Sequence, residues 1–411
     1  MGAEYLKYWG KALKQENRYH LLVYHSLDVA AVGIGLLNGL NILETLCRIT
    51  SLEKEKSIKL YAFLLALHDM GKFSNGFQNL LPDLVMRLKG KNKNVPYNER
   101  HWTLGYRFVK NNASEMSAFN WPGFSDTMLS WISAVTGHHG RPPQNVMGAP
   151  PINNQFDDGA KKDVVDFVSD IGDLFQTRDY ISSMQALTED KVKKTSWYLA
   201  GITVLADWIG SNPKWFPYLA EEIRLDKYFT EIAKPNAERA IKESGILPLK
   251  NAEQKSFSEF FPAIRQATPL QNTVEAVKVS NEPGLYIMEE ITGAGKTEAA
   301  LMLAHKIISE GNADGIYFGL PTMATANAMH ERIEEVYKKF YKGGESPNYI
   351  LAHSASRYRM KIEEENNERG YSKEEMNASQ EAGAWLYDNR KKAMLAHIGV
   401  GTIECSPRTW G

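Results

Sequence analysis

The chain has 411 residues, 43% of them hydrophobic and 24% charged, with a formal net charge of −1. That length exceeds one ordinary core and predicts two or three domains of globular composition. The near-zero balance excludes a global basic field for nucleic acid, although a local basic groove is compatible with it.

The two cysteines, Cys47 and Cys405, lie far apart and offer neither a disulfide framework nor a thiolate metal site. The N-terminal "MGAEYLKYWGKALK" lacks an apolar signal core, and no uninterrupted apolar run reads as long enough to span a bilayer. A cytoplasmic protein without a membrane partner is expected.

Residues 1 to about 235 read as mostly helical. "HLLVYHSLDVAAVGIGLLNGL", "KSIKLYAFLLALHDMGKF", "DTMLSWISAVTGHH" and "TSWYLAGITVLADWIG" carry apolar residues at helical spacing. Gly71, Gly140 and Gly210 stand where such helices would stop, and Pro142-Pro143 closes the third. Segment 80–100 is basic and loop-like, and segment 141–160, rich in Pro, Gly and Asn, reads as a mobile loop.

Near residue 255 the character changes. "LYIMEE" (285–290), "GIYFGLP" (315–321) and "NYILAHS" (348–354) read as strands, with helices "TEAALMLAHKIIS" and "TANAMHERIEEVYKKF" between them. Alternation of this kind predicts a parallel α/β sheet. The charged stretch 356–392 reads as exposed helix or loop.

Within the helical half, His25, His68-Asp69, His101, His138-His139 and Asp207 form an ordered series, in a chain with ten histidines. A lone histidine on an apolar helix is usually packed or at the surface. A His-Asp neighbour pair at a helix end is different, because nitrogen and carboxylate can meet one cation and the carboxylate can bridge two. Nitrogen and oxygen donors without thiolates suit Mn, Fe, Co, Ni or Zn. Such a site lowers the pKa of bound water and needs no nucleophilic side chain. By itself it does not separate a nuclease from a nucleotide phosphohydrolase.

"YHSLDVAAV", "ALHDMGKF", "TGHHG" and "LADWIG" together resemble the HD nuclease domain of the CRISPR type I signature helicase-nuclease family. The resemblance spans essentially the whole chain. It implies a mostly α HD-type metal hydrolase domain followed by a RecA-like P-loop domain of superfamily 2 helicases. It also implies cleavage of single-stranded DNA, the displaced strand of an R-loop, at one or two divalent transition metals. The implied partner is the Cascade surveillance complex. Carried over by position, His25, His68, Asp69 and Asp207 would hold one ion. Asp69, His101, His138 and His139 would hold the second, with Asp69 bridging. His68 and Asp69 would be catalytic, and Lys72 would touch a phosphate or stabilise the leaving group. The expected division is an HD domain over 1–240, a linker over 241–260 and a partial helicase domain over 261–411.

"TGAGKT" at 292–297 has the strand-to-helix context of a phosphate loop. Thr292, Gly293 and Gly295 would approach ATP phosphates, Lys296 would reach the β and γ oxygens, and Thr297 would ligate Mg²⁺. It resembles superfamily 2 motif I, with Ile291 and Ala294 departing from that pattern. "PLQ" at 269–271 resembles the Q motif, where Gln271 would read adenine. "LPTMATANAM" resembles motif Ia, with Thr322 and Asn327 on the DNA backbone, and "IGVGTIE" resembles the start of motif Ib. No Walker B box follows, and phosphoryl transfer needs that carboxylate. An incomplete motor, inactive in ATP hydrolysis, is therefore expected. The final "ECSPRTWG" leaves the expected apolar continuation, and one codon choice for it reads in a shifted frame as Asn-Ala-Leu-Leu-Ala-Leu. A frameshifted or truncated product, or a remnant that only binds DNA or Cascade, is among the expectations.

Overall fold

The computed structural model describes residues 3–13, 18–116, 119, 128–140, 142–143, 151–177, 180, 187–345, 347–352 and 395–403. The charged stretch 356–392, the terminal "ECSPRTWG" and residues 141 and 144–150 of the expected mobile loop lie outside these residues; the rest of that loop includes a helical turn at Ile152–Asn154 and the start of a helix at Asp158. The described chain divides at Ser244 and Gly245 into two compact units.

The first unit begins with an antiparallel hairpin, β1 (Trp9–Leu13) and β2 (Arg18–Leu21). It continues through α1 (Leu22–Gly39), α2 (Ile42–Thr50), α3 (Lys54–Ala66), α4 (Pro82–Lys89), α5 (His101–Asn112), α6 (Leu129–Thr136), α7 (Asp158–Leu174), α8 (Glu189–Gly210) and α9 (Lys234–Ser244). Helix α1 is apolar on nearly every side, so it cannot sit at a surface. It packs against α3, α8 and α9 as the axis of the domain, with Leu22 to Gly33 wholly buried. By length and composition α1 would suffice to cross a membrane, although His25 and Asp28 interrupt its apolar run. Here it is a core helix, because neighbouring helices cover it.

Caps set the boundaries. The Asp157 side chain accepts from the Ala160 N–H to start α7, and Thr188 does the same for α8 through Lys191. Pro82 in the first turn and Gly90 in the left-handed conformation bracket α4. Residues 82–89 of the segment read as a loop over 80–100 are therefore helical, with Arg87 and Lys89 on a helix whose only buried residue is Val85, while Lys91, Lys93 and Arg100 lie beyond it.

In the second unit, α10 (Pro269–Ala276), α11 (Lys296–Ser309) and α12 (Met323–Glu334) accompany a three-stranded parallel sheet. Its strands are β3 (Ile316–Leu320), β4 (Tyr349–Ala352) and β5 (Ile398–Thr402), in the order β3–β5–β4. Central β5 is buried along its whole length. Residues 245–260, expected as part of a linker, join this unit instead. Phe257 and Phe260 enter its core, and Asn251 bridges to Tyr341. The strand expected at 285–290 is not formed. Leu285 is 87% exposed and Ile287 76%, since no described strand lies beside the segment to satisfy its backbone.

Candidate metal centre

The series of histidines and aspartates converges in the first unit from five separate places. His25 is in the first turn of α1, and Asp207 is in the last turn of α8. His68-Asp69 forms the turn after α3, His101 opens α5, and His138-His139 follows α6. Gly71 makes the convergence possible. A Cβ there would lie 1.8 Å from the His101 carbonyl oxygen, so only glycine lets the turn press against the start of α5.

Two donor groups result. In one, His25 Nε2 lies 3.2 Å from Asp69 Oδ2 and 3.2 Å from Asp207 Oδ1, with His68 Nε2 3.4 Å from Asp69 Oδ2. In the other, His101 and His138 Nε2 lie 3.3 and 3.5 Å from the opposite oxygen, Asp69 Oδ1. His139 Nε2 lies 3.1 Å from His101 Nε2. Within each group, His25-His68-Asp69-Asp207 and His101-His138-His139, the donor atoms fall within 4.8 Å of one another. Asp69 therefore presents one oxygen to each group.

The rings are oriented from behind. Nδ1 of His68 donates to the Leu65 carbonyl at 3.0 Å, and Nδ1 of His138 to that of Val135 at 3.2 Å. Tyr97 sits 3.0 Å from His101 Nδ1. The Ser211 hydroxyl donates to Asp207 Oδ1 at 2.9 Å. Such outer contacts aim Nε2 and carboxylate oxygens at a shared point. Tyr97 and Ser211 were not expected from sequence. Each sits four residues from its partner, a spacing too common to be a signal.

Two lysines complete the cluster. Lys72 Nζ lies 2.5 Å from Asp69 Oδ2 and Lys11 Nζ 3.8 Å from Asp207 Oδ1, and both lysines are buried. Against the pull of burial, Lys72 and His68 hold the Asp69 carboxyl well below the usual carboxylate range, and Lys11 and His25 do the same for Asp207. Burial also opposes charge on His68, but the carboxylates of Asp69 and Asp207 outweigh it and push it up to about 9. Burial, with Lys11 nearby, pushes His25 down to about 4. Burial holds His101 and His138 well below the usual imidazole range.

The donor set fits a divalent transition metal. Oδ2 of the buried Asp69 is met by Lys72, but Oδ1 faces only the His101 and His138 nitrogens and, like Nδ1 of His25, has no hydrogen-bond partner; such groups are costly unless a charge meets them. Neutral imidazoles and carboxylates without sulfur are ligands for the ions named above.

In the second unit the phosphate-loop residues are brought together but engaged with one another. Lys296 Nζ donates to the carbonyls of Glu290 and Ile291 at 2.5 and 2.7 Å. Gln271 is 2% exposed; it accepts from the Thr268 N–H at 2.9 Å and donates to the Gly295 carbonyl at 3.2 Å. Its amide thus braces the loop. Thr297 Oγ1 lies 3.4 Å from an Arg332 guanidinium nitrogen. Thr292 and Gly293 are exposed beside it, as are Thr322, which caps α12, and Asn327 on the same helix.

A helical bundle whose His-Asp turn stands between two further sets of His and Asp defines an HD-type domain. Residues 9–216 match the family model described as "Cas3, HD domain", and the chain belongs to this CRISPR-associated family. It is 31% identical to the CRISPR-associated endonuclease/helicase Cas3 of Escherichia coli strain K12, over 97% of this chain and 47% of that protein. It is 27% identical to the protein of the same name from Thermus thermophilus, over 95% and 42% of the two chains. The chain thus spans about half the length of the curated relatives it matches. A crystal structure titled as a CRISPR-associated protein superposes with a TM-score of 0.74 at 25% identity, covering 98% of this chain and 46% of the other.

Proposed function

We propose that the first unit is a metal-dependent nuclease that cuts single-stranded DNA in CRISPR interference. The observation that carries this reading is Asp69, whose two oxygens face two separate donor groups, Oδ2 toward His25 and Oδ1 toward His101. His25, His68, Asp69 and Asp207 would hold one cation. Asp69, His101, His138 and His139 would hold the other. Bound cations of this kind supply a water that ionises near neutral pH and neutralise charge on a phosphodiester and its leaving oxygen. The chain's own groups do the rest. The carbonyls of Leu65 and Val135 keep the Nε2 atoms of His68 and His138 pointed inward. Lys72, two ångströms and a half from Asp69, fixes that carboxylate and supplies a positive charge toward the phosphate.

The second unit would bind Mg²⁺-ATP through Lys296 and Thr297 and contact the DNA backbone through Thr322 and Asn327. Lys296 must first leave the carbonyls of Glu290 and Ile291. The substrate would be the displaced strand presented by a Cascade-type surveillance complex in the cytoplasm.

Cleavage of circular single-stranded DNA with Mn²⁺ and no ATP tests the proposal. The parent should linearise and degrade the circle, and Asp69→Ala should leave it intact. A parent that binds Mn²⁺ but leaves the circle uncut, while releasing phosphate from deoxynucleoside triphosphates, would turn the reading to a nucleotide phosphohydrolase.

A further inference from the structure

Each of the two buried carboxylates at the centre has its own lysine. Lys72 comes from the His-Asp turn itself and sits on Asp69. Lys11 comes from the N-terminal hairpin, far away in sequence, and sits on Asp207.

The hairpin is built to deliver it. Strand pairing runs Trp9 with Leu21 and then Lys11 with His20, so Gly10 is an extra residue with no partner on β2. Such a bulge re-aims the side chain that follows it. Gly10 is also the residue the bulge demands, because a Cβ there would lie 2.8 Å from Leu22 Cα at the start of α1. Its carbonyl accepts a hydrogen bond from Lys72 Nζ at 3.4 Å, which ties the bulge to the His-Asp turn. Lys11 is 4% exposed, although β1 reaches half-buried positions one residue later. A lysine buried at a hairpin bulge and directed at a ligating carboxylate costs stability unless it has a task.

We propose that Lys11 is a second phosphate-binding residue of the nuclease site, one that occupies the place of a cation at Asp207 until metal enters and then turns to the substrate phosphate. The inference rests on the nuclease reading. Its charge logic is simple. In the metal-free site the ammonium offsets the Asp207 carboxylate, so a divalent cation must compete with it. Once Asp207 ligates a cation, repulsion drives Nζ away from that oxygen. The flexible four-carbon stem lets the ammonium move without disturbing β1. The nearest anion to arrive is then the scissile phosphodiester.

Lys11→Met keeps the length of the side chain and removes its charge. Two readouts are needed: Mn²⁺ affinity by titration calorimetry, and the rate of cutting of circular single-stranded DNA at saturating Mn²⁺. Loss of the competing charge should tighten Mn²⁺ binding at least threefold while the saturated rate falls at least tenfold. Lys11→Arg should leave Mn²⁺ affinity within twofold of the parent and retain more cleavage than Lys11→Met. Unchanged or weaker Mn²⁺ binding in Lys11→Met overturns the proposal, and so does an unchanged saturated rate. If Lys11→Met fails to fold, Lys11→Gln carries the same two readouts. A parent that does not cut at all would instead refute the nuclease reading, which keeps the two failures distinct.

Discussion

The two units use their polar residues in opposite ways. In the first, seven His and Asp side chains and two lysines are drawn from distant segments into a buried cluster, and the charges there offset one another. In the second, the residues proposed to bind nucleotide or DNA lie in short stretches that are exposed or half-buried, apart from the buried Gln271. Lys296 is satisfied by carbonyls five and six residues behind it, and Leu285, Tyr286, Ile287 and Ile291 stay exposed. A site assembled by tertiary packing is rigid before its ligand arrives. A site carried on one loop must be opened by it. The contrast is that of a preorganised centre against a latent one.

The largest effect should come from disturbing the packing that assembles the first site. Gly71→Ala places a methyl group against the His101 carbonyl and should cost about 3 kcal/mol, at the upper end for overpacking. The pH 7 melting temperature of the first unit should fall, and Mn²⁺ binding and DNA cutting should fall together. Normal cutting in this variant would show that the cluster is not held by that contact.

A smaller effect should follow pH. His68 is raised from 6.5 to about 9 in the metal-free protein. Its contribution to folding is therefore complete below pH 6.5 and is lost as pH rises through about 9. Metal-free protein should melt at falling temperature across that window. Metal must displace the His68 proton, so Mn²⁺ affinity should rise by about tenfold per pH unit over the same window. Calorimetric titration between those limits checks the slope, and a flat profile would contradict a protonated His68.

The smallest effect should come from the latent site. Lys296→Ala removes the side chain that holds the loop on the carbonyls of Glu290 and Ile291, yet it lies in the other compact unit. ATP-free cutting of circular DNA should stay within twofold of the parent, while nucleotide binding measured by fluorescence titration should be lost. A strong loss of ATP-free cutting would show that the two units are not independent.

Much was legible in the sequence because spacing encodes it locally. The long apolar run "HLLVYHSLDVAAVGIGLL" pointed to α1, and the His68-Asp69 pair at a helix end pointed to the candidate metal centre. The parallel strands at 316–320 and 349–352 stood where alternation with helices put them. The 285–290 segment was misread, since an apolar run states a capacity for pairing but not that a neighbour is present. Lys11 and Tyr97 were invisible for a related reason. Their roles depend on a bulge and on a helix start formed by distant parts of the chain.

By itself, then, the sequence determined most of the helices and which residue types could carry chemistry, because helix periodicity and ligand chemistry are properties of short segments. Only the tertiary structure decided that Asp69 turns one oxygen to each donor group and that a hairpin lysine lies against Asp207. It also decided that Gln271 braces the 292–297 loop through the Gly295 carbonyl. Those facts are distances between side chains remote in sequence, and packing alone sets them.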